Sequence, residues 1–392
     1  MKIALVTSEF VHTKDGGLAN YTYRLAKYLI EFGHDVKVIV NDSIDRVSNY
    51  DDIELHQVQI DYSKIYQKKW FGLVPSKSSN YKLFDARSKQ INSYLSQFEL
   101  DMVQYAHLGG LGKYRLPNVS CVIRISSSTR SCFEMGGYGE SKEEMEQQER
   151  IEFEAFKSAD SVFGPSKMMA AITQSATGVP VTVIETPYQN KESNLDTSVF
   201  ENIGTNNYVL FFGSLVRLKG VETIASILEP LLTENPDLHY VFVGKSMLRP
   251  NGEEMADYIR SVAGENVDRV HLIGKLGQEK LKPIIANAKV VTLPSLIDNF
   301  PNTCIESMAF GKLVIGTRSN GFEQLIDSGE NGYLIDAACS DQLLGAISKV
   351  LKLSEDEIQK MGKKSKDRIE QLKPSIAVKE LVEYYKEVIK NK

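Results

Sequence analysis

Residues 3–40 read IALVTSEFVHTKDGGLANYTYRLAKYLIEFGHDVKVIV, and this stretch decides the class of fold. Ile3–Val6 and Val36–Val40 are short apolar runs with the length of a buried strand. Between them, from Leu18 onward, apolar residues recur every three or four positions, which is the periodicity of an amphipathic helix. Gly33 follows where helices commonly end in a left-handed residue. This unit predicts two parallel strands joined by a right-handed crossover.

The same alternation continues through the chain. Further strands in the first half are predicted at Met102–Tyr105, Val119–Ile125, Ser161–Gly164 and Val181–Glu185. Those in the second half are predicted at Tyr208–Phe212, His239–Val243, Arg269–Leu272, Val290–Leu293, Leu313–Gly316 and Tyr333–Ile335. Further helices are predicted at Glu146–Lys157, Ser166–Gln174, Val221–Leu232, Glu253–Ala263, Gln278–Asn287 and Ile376–Lys390. Two successive series of this kind predict two Rossmann-like α/β domains, each with a parallel sheet.

Two residues predict where these helices begin or break. Ser166 has the hydroxyl of a good N-cap, so we expect it to begin the helix that follows. Pro230 has no amide hydrogen to donate, so we expect it to kink or end the helix predicted around it.

A polar segment interrupts the alternation at Thr186–Asn207, which is rich in Asn, Ser and Thr and has little periodicity. We expect the domain boundary here. The first domain then covers residues 1–190 and the second covers 208–375, and a C-terminal helix follows at 376–392.

Composition excludes several classes of protein. The chain has 392 residues and a formal net charge of −5. This mild negative charge disfavours a dedicated nucleic-acid-binding protein, which usually has a basic domain. Its four cysteines are scattered, with no CxxC pair, as expected for a reduced cytoplasmic protein without structural zinc. No run approaches the roughly 20 apolar residues of a membrane span.

The loop FFGSLVRLKG, residues 211–220, follows a predicted strand. Gly213 lets the chain turn off the strand and Gly220 opens the next helix, whose free amides would face the loop. Lys219 and Arg217 add charges suited to phosphate oxygens. Anion binding and a plain turn with solvated basic residues both fit this loop.

The loop PSLIDNFPNTCIESMAFGKLVIGT, residues 294–317, places Asp298 and Glu306 on either side of Pro301. We expect Glu306 in the first turn of a helix. Carboxylates accept hydrogen bonds from the vicinal hydroxyls of sugars and ribose, and the amides of residues 300–303 would meet phosphate or sugar oxygens. Alternatively, Thr303 and Glu306 have the spacing of a capping box, in which the glutamate only satisfies a backbone amide.

The segment DMVQYAHLGGLG, residues 101–112, places His107 just past a buried strand. This position projects the imidazole from the carboxyl end of the strand, where ligands of parallel sheets bind. A lone histidine is more often structural, and only its position distinguishes His107 from the other histidines.

Motifs of other nucleotide-binding enzymes do not occur. There is no GxGxxG after the first strand, no GxxxxGK[ST] and no GxSxG. These absences disfavour a dinucleotide oxidoreductase, a P-loop kinase or ATPase, and an α/β-hydrolase.

The chain resembles the group 1 glycosyltransferases, a family of retaining enzymes with the GT-B fold, in which two Rossmann-like domains face each other across a cleft. Asp298 and Glu306 stand at the two acid positions of the E-x7-E signature of that family. In the second half the resemblance also runs through FFGSLVRLKG, VFVGKS, VHLIGKLGQEKLKPIIANAKVVTLPS and DNFPNTCIESMAFGKLVIGTRSNGFEQLIDSGENGYLI. The first half is similar through GGLANYTYRLAKYLIEFGHDVKVIV and ADSVFGPSKMMAAI.

The resemblance implies a role for each matched residue. His107, Lys219 and Glu306 would be the catalytic residues, with His107 beside the reacting sugar. Lys219 would hold the donor diphosphate, Glu306 the ribose and Asp298 the transferred sugar. The other implied donor contacts are Gly16, Gly17, Ser214, Arg217, Lys275, Leu276, Asn299, Phe300, Pro301, Asn302 and Thr303.

The chain departs from the family at two positions. Ser214 replaces the arginine that usually follows the glycine, so we expect its phosphate contact to move to Arg217. The first acid is Asp298 rather than glutamate, and its shorter reach alters which sugar fits.

The resemblance also implies a reaction. It implies transfer with retention of configuration, no metal and no cofactor, from a nucleotide sugar bound mainly by the second domain. UDP-sugars are the most frequent donors in the family and GDP-mannose follows. The acceptor side falls to the first domain, and the C-terminal helix would cross back to it. The implied acceptor is a glycan or lipid-linked glycan of bacterial surface polysaccharide, such as lipopolysaccharide, made in the cytoplasm or at the inner face of the plasma membrane.

Other functions remain open. The same fold serves nucleotide-sugar epimerases and phosphorylases, and a catalytically inactive binding partner would keep the donor site. Residues 63–90 mix lysines with aromatic residues, which suits either contact with an anionic membrane or a solvated excursion. Their poor helical periodicity favours the solvated excursion.

Overall fold

The computed structural model describes residues 1–13, 16–63, 65, 80–136, 141–190, 195–198, 200–205 and 207–392. Most of the aromatic and basic segment at 63–90 therefore lies outside the described residues. The chain divides into two compact units. One consists of Met1–Arg130, Gly139–Pro187 and Pro374–Lys392, and the other of Ser131–Tyr138 and Tyr188–Lys373.

The first unit contains, within the described residues, an eight-stranded sheet in the order β3-β4-β2-β1-β5-β6-β7-β8. Its strands are β1 Lys2–Thr7, β2 Asp35–Asp42, β3 Arg46–Tyr50, β4 Ile53–Gln59, β5 Met102–Ala106, β6 Ser120–Arg124, β7 Ser161–Gly164 and β8 Val181–Val183. All neighbouring pairs are parallel except β3 and β4. The central strands are buried on both faces, as expected for a sheet covered by helices.

The second unit contains, among its described residues, a six-stranded parallel sheet in the order β11-β10-β9-β12-β13-β14. Its strands are β9 Tyr208–Phe212, β10 His239–Val243, β11 Val270–Ile273, β12 Val290–Thr292, β13 Val314–Thr317 and β14 Gly332–Ile335. Because every pair is parallel, the loops that follow these strands lie along one edge of the sheet.

Helices cover the two sheets. Those of the first unit are α1 Gly17–Glu31, α2 Asn80–Leu95, α4 Lys142–Ser158, α5 Lys167–Thr177 and α14 Pro374–Lys390, while α3 Thr129–Gly136 spans its border with the second. Those of the second unit are α6 Phe200–Ile203, α7 Val221–Ala225, α8 Leu228–Glu234, α9 Met255–Val262, α10 Gln278–Asn287, α11 Asn302–Ala309, α12 Ser340–Leu351 and α13 Glu355–Glu370. In the described parts of the chain, none of these helices combines the length and the apolar character needed to cross a bilayer.

The predicted fold class, α/β with two Rossmann-like parallel-sheet domains, is confirmed. Each predicted strand is present to within two residues at either end. A short, continuous apolar run is typical of a strand that is buried on both faces of a sheet. The predicted helix ends are confirmed at Gly33, which has φ 81° just past α1, and at Ser166, whose hydroxyl accepts the Met169 amide at 3.2 Å.

The fold differs from the sequence prediction at Pro230 and at the hairpin of β3 and β4, and helices α2, α3, α6, α12 and α13 were not among those predicted. Pro230 does not break a helix. The break comes earlier, at Ser226–Ile227, and Pro230 lies in the first turn of α8, where a missing amide hydrogen costs nothing. The hairpin of β3 and β4 was not predicted, because its polar edge strand RVSNY has no continuous apolar run.

The C-terminal helix α14 packs into the core of the first unit. Val378, Leu381 and Tyr385 are buried together with residues of β1, β2 and α1. The Tyr385 hydroxyl donates a hydrogen bond to the Gln104 side chain of β5 at 2.5 Å. The last segment of the chain therefore stabilises the first domain rather than the one that precedes it in sequence.

Candidate functional site

The loops after β9, β12 and β13 come together at the carboxyl edge of the second sheet, because these three strands are neighbours. The first of them forms a 3-10 turn over Arg217–Lys219 and ends at Gly220, with φ 74°. A Cβ atom on Gly220 would lie 1.9 Å from the carbonyl oxygen of Pro294, in the loop after β12. Only glycine combines this φ with so close an approach, so Gly220 is what allows the two loops to meet.

Lys219 and Asp298, which are 79 positions apart, form an ion pair at this edge, with 2.6 Å between Nζ and Oδ2. The Ser295 hydroxyl also donates to the same Asp298 oxygen, at 3.3 Å. The lysine side chain is 36% exposed and the aspartate 14%. Two residues that the sequence predicted for the donor site are therefore in direct contact, and the cation is open to solvent.

A buried asparagine of the loop after β13 fixes the loop that carries Asp298. The Asn320 side chain donates to the carbonyl oxygens of Ser295 at 3.2 Å and Leu296 at 3.3 Å, and it accepts the Asp298 amide. Thr317 donates to the Ser295 carbonyl at 2.7 Å. Asn320 and Thr317 were not predicted to support the site, and the available signal was the polar run TRSN directly after an apolar strand.

The helix α11 carries the second acid. It begins at Asn302 with Pro301 as its N-cap, so Glu306 lies in its second turn and not, as expected, in the first. The capping-box interpretation is wrong, because Thr303 is the second residue of the helix rather than its cap. Glu306 is half-buried at the same edge of the sheet.

The amides that this helix offers to a ligand are fewer than expected. Proline has no amide hydrogen, so Pro301 offers no amide to a ligand, and any donor contact it makes must come from another of its atoms. Asn299 and Phe300 are buried, whereas Asn302 and Thr303 are half-buried. Asn302 and Thr303 are the first two residues of the helix, whose amides no carbonyl within the helix can accept.

The remaining predicted donor residues of the second unit lie on loops of the same edge. Ser214 is exposed directly after Gly213. The Arg217 guanidinium is 47% exposed and faces Glu222 at 3.7 Å. Lys275 and Leu276 follow β11, with the lysine exposed and the leucine packed against the core. The helix after Gly220 has only five residues, so side-chain cations rather than its dipole provide most of the attraction for an anion.

The first unit holds three predicted residues. Gly16 is the N-cap of α1, with an extended backbone, and Gly17 is the first residue of that helix. Both follow the loop after β1, at the carboxyl edge of the first sheet.

His107 follows β5 and is buried, with only 1% of its surface exposed. Its Nδ1 accepts the amide hydrogen of Ser126 at 3.1 Å, which places the ring proton on Nε2. That Nε2 is buried and has no hydrogen-bond partner in the described part of the chain. Burial, together with the nearby Arg124 charge, lowers the pKa of His107 to about 3. The imidazole is therefore neutral near pH 7 and offers a single N–H donor.

Two buried charged residues hold the turn that follows His107. Arg87 of α2 donates to the carbonyl oxygens of Leu108 at 3.1 Å and Gly109 at 3.2 Å. Glu152 of α4 accepts the Gly109 amide at 2.9 Å, and its second oxygen accepts the Thr129 hydroxyl at 2.8 Å. Burial raises the pKa of Glu152 to about 7. Both residues lie on polar helices, where nothing in the sequence marks them as buried.

Comparison with known proteins identifies the family to which the chain is similar. The family model described as glycosyl transferases group 1 matches residues 196–368, and that described as glycosyltransferase family 4 matches residues 15–189. The chain is 28% identical over 178 residues to the MMP alpha-(1->4)-mannosyltransferase of Mycolicibacterium hassiacum, covering 44% of this chain and 42% of the relative. It is 25% identical over 179 residues to the N-acetyl-alpha-D-glucosaminyl L-malate synthase of Bacillus anthracis, covering 45% and 44%. The matched region thus spans less than half the length of either relative.

Solved structures with the same fold cover the whole chain. Sucrose-phosphate synthase from Thermosynechococcus elongatus has a TM-score of 0.78 at 17% identity and covers 100% of both chains. Anabaena Alr3699/HepE in complex with UDP-glucose has a TM-score of 0.70 at 16% identity and covers 99% of this chain and 100% of its own. These neighbours are GT-B enzymes. With the two family models matching its two halves, the chain belongs to the group 1 glycosyltransferases and has their GT-B fold.

Proposed function

We propose that this protein is a retaining, metal-independent glycosyltransferase that moves a hexose from a UDP-sugar to a glycan or lipid-linked acceptor during synthesis of a bacterial surface polysaccharide such as lipopolysaccharide. The observation that carries the proposal is the Lys219–Asp298 ion pair at the carboxyl edge of the second sheet, with Glu306 on the helix that follows. One cation and two acids at a single edge suit a ligand that joins a diphosphate to polyhydroxylated rings.

In the proposed complex, the donor diphosphate binds beside Lys219 and Arg217. Because Lys219 is a half-exposed cation, it can turn from Asp298 to phosphate without leaving a buried charge unpaired. Asp298 then accepts hydrogen bonds from hydroxyls of the transferred sugar, and Glu306 from the ribose. Lys275 and Leu276 lie against the base.

The proposed mechanism is electrostatic. As the bond between the sugar and the diphosphate breaks, negative charge grows on the departing phosphate. Lys219 and the amides of Asn302 and Thr303 stabilise that charge from fixed positions, which costs no reorganisation during the reaction. The acceptor attacks from the side of the leaving group, whose phosphate takes the acceptor proton. The sequence contains no DxD-like pair placed to hold a metal on the diphosphate, and this is the basis for proposing a metal-independent reaction.

We assign the acceptor side to the first unit. Gly16 and Gly17, at the carboxyl edge of its sheet, are proposed to approach the donor diphosphate closely through their backbone. His107 contributes as a neutral donor through Nε2–H rather than as a general acid, because its pKa is far below neutral. The proposed domains are 1–190 for the acceptor side, 208–375 for the donor side and 376–392 for a helix that returns to the first domain.

The donor assignment draws on a structural neighbour. The Anabaena protein binds UDP and UDP-glucose in its complexes. Because one of the relatives is a mannosyltransferase, the experiment below also includes other nucleotide sugars, among them GDP-mannose.

The experiment is a thermal-shift screen of the purified protein against UDP-, GDP-, ADP- and TDP-sugars, since a ligand that binds the native state raises its apparent stability. The donor found is then incubated with candidate acceptors, and the anomeric configuration of the product is read by NMR. We expect one nucleotide class to stabilise the protein, nucleoside diphosphate release to depend on acceptor, and an axial donor to give an axial product.

Each result of this experiment separates the alternatives. Conversion of the donor without an acceptor would indicate an epimerase, and binding without any turnover would indicate an inactive partner. An inverted product would contradict the retaining mechanism, and activity abolished by EDTA and restored by a divalent cation would contradict metal independence.

The proposal also places the protein in the cytoplasm. For residues 63–90, whose poor helical periodicity favours a solvated excursion, contact with the inner face of the plasma membrane is the alternative to be tested. Salt-sensitive co-sedimentation with anionic liposomes tests that contact, and equal recovery in the supernatant with and without liposomes would exclude it.

A further inference from the structure

Beyond the residues already assigned, the ends of β9 and β10 form a second feature of the same edge. The pairing of these two strands continues past their ends. The Gly213 amide donates to the Val243 carbonyl at 2.9 Å, and the Leu215 amide donates to the Lys245 carbonyl at 2.9 Å. Leu215 and Ser246 then form a parallel bridge.

This pairing places Ser214 and Lys245 opposite each other, one residue before that bridge. Both are exposed. A Cβ atom on Gly244 would lie 1.8 Å from the Gly213 carbonyl oxygen. The segments that follow β9 and β10 therefore approach each other as closely as glycine allows. The serine and the lysine therefore form adjacent positions of one surface at the carboxyl edge.

The backbone at Lys245 is well supported. The next residue, Ser246, donates through its hydroxyl to Glu254 at 2.7 Å and accepts the Ala256 amide at 3.1 Å. Further along the same loop, Arg249 pairs with Glu222 at 3.2 Å and with Glu253 at 2.5 Å. The backbone that follows Lys245 is therefore held at Ser246 and at Arg249, while the Lys245 side chain itself is exposed.

The charges of the neighbouring residues are already matched, and that of Lys245 is not. Lys219 pairs with Asp298, and Arg217 faces Glu222 at 3.7 Å. Lys245 has no ion-pair partner in the described part of the chain. It is thus the cation at this edge whose charge no described carboxylate offsets.

We propose that Lys245 is a phosphate-binding residue of the donor site, which supplies from the neighbouring strand the positive charge that Ser214 cannot. This inference rests on the proposed function, because it assigns a further contact to the same nucleotide-sugar diphosphate. It also revises the expectation that Arg217 alone takes over that contact, since Arg217 shares its charge with Glu222 whereas Lys245 is exposed beside Ser214 itself.

The experiment compares the binding of uridine, UMP and UDP to the wild-type protein and to Lys245→Gln by isothermal titration calorimetry, at low and at physiological salt. If the wild type prefers guanosine nucleotides, the matching guanosine series replaces them. We expect Lys245→Gln to weaken UDP about five- to tenfold, to weaken UMP less and to leave the nucleoside unchanged, because each added phosphate adds charge for the lysine to meet. Lys245→Arg should stay within about threefold of the wild type, since it keeps the charge.

Lys352→Gln is the matched control. Lys352 is also exposed, but it lies at the C-terminal end of α12, a helix that starts after the carboxyl end of β14 and runs back toward the opposite edge. The Lys352→Gln protein should bind uridine, UMP and UDP with the affinities of the wild type. An unchanged UDP affinity in Lys245→Gln, or an equal loss for uridine and UDP, would overturn the assignment of Lys245 while nucleotide binding stands. A wild-type protein that binds no nucleoside diphosphate would overturn the proposed function itself.

Discussion

The carboxyl edges of the two sheets carry ionisable residues in different environments. In the second unit the cations are accessible, with Lys219 36% and Arg217 47% exposed, and each faces a carboxylate. In the first unit the corresponding groups are buried, with His107 at 1%, Glu152 at 3% and Arg124 at 7% exposed. Accessible ion pairs contribute little to stability and can exchange partners with a ligand. Burying a polar or charged group costs desolvation free energy, and losing its hydrogen-bond partner would leave that cost uncompensated. Buried groups therefore hold the backbone that they contact in place.

This difference predicts that substitutions at the second edge alter activity and those at the first edge alter stability. The largest expected effect is on turnover. Lys219→Ala should lower kcat/KM by about 10²–10³-fold, the loss typical of one preorganised donor to a growing negative charge. Glu306→Ala should likewise abolish most turnover through loss of the ribose contact. Both proteins should stay folded, and Lys219→Ala should melt within about 2 °C of the wild type, since a partly exposed ion pair adds little stability.

Steady-state kinetics with the identified donor, together with a melting curve, makes this measurement. Lys352→Ala, an exposed lysine away from the edge, controls for the loss of one charge. Near-wild-type activity in either site variant would count heavily against the donor site, and a large loss of stability would erase the contrast between the two edges.

The second expected effect concerns the contact between the loops after β9 and β12. Gly220→Ala should destabilise the protein by about 3 kcal/mol or more, because it adds a steric clash with the Pro294 carbonyl to the cost of a positive φ. Gly33→Ala has a similar φ of 81° with nothing within 4 Å of the added carbon, so it should cost only about 1–2 kcal/mol. Urea unfolding of both variants separates the two contributions, and equal losses would mean that the loops do not press on each other at Gly220.

The third expected effect tests the buried edge through pH. The pKa of Glu152 is raised from its ordinary value of 4.5 to about 7, so the native state holds more protons than the unfolded state between these values. Stability contributed by the protonated carboxyl is present below pH 4.5 and is lost as the pH rises through 7. Relative to the wild type, Glu152→Gln should therefore gain on the order of 2 kcal/mol between pH 5 and pH 8.

Urea unfolding of the wild type and Glu152→Gln at matched pH makes this comparison. His107 titrates in the opposite sense, since its lowered pKa removes stability as the pH falls below 6.5, but this contribution is common to both proteins and cancels. The amide can still accept from Gly109 and donate to Thr129, so the turn should keep its geometry. A stability difference that does not change with pH would mean that Glu152 is ionised throughout.

The smallest expected effect is that of His107→Ala. It should cost about 1–3 kcal/mol, because the Ser126 amide loses its buried acceptor. The same variant tests the proposed Nε2–H contact through kcat and KM. His107→Asn, which keeps a polar side chain, should recover part of the stability, and an unchanged melting temperature in His107→Ala would contradict the supporting role of the imidazole.

The sequence predicted the sheets well because their strands are continuous apolar runs, whose burial depends little on what surrounds them. The sequence also led to the prediction that Lys219, Asp298 and Glu306 bind the donor, and that role stays a prediction. The direct contact between Lys219 and Asp298 was not predicted, because the 79 positions between them are closed only by the pairing of β9 with β12.

The residues that support the site were harder to predict. Asn320, Arg87 and Glu152 are polar residues whose burial is decided by tertiary packing rather than by periodicity. His107 was expected to lie at the end of its strand, and its position there did not indicate that its ring would be buried with Nδ1 accepting the Ser126 amide. Polar side chains inside a domain are therefore the part of this site that sequence patterns describe least.

A crystal structure of the protein with its nucleotide-sugar donor would show directly whether the donor binds at the carboxyl edge of the second sheet. We predict that the diphosphate lies within hydrogen-bonding distance of the Lys219 Nζ, that the ribose hydroxyls face Glu306, and that the Asp298 carboxylate has exchanged the lysine for sugar hydroxyls. A nucleotide bound at any other place, with the Lys219–Asp298 ion pair intact and the edge empty, would contradict this account.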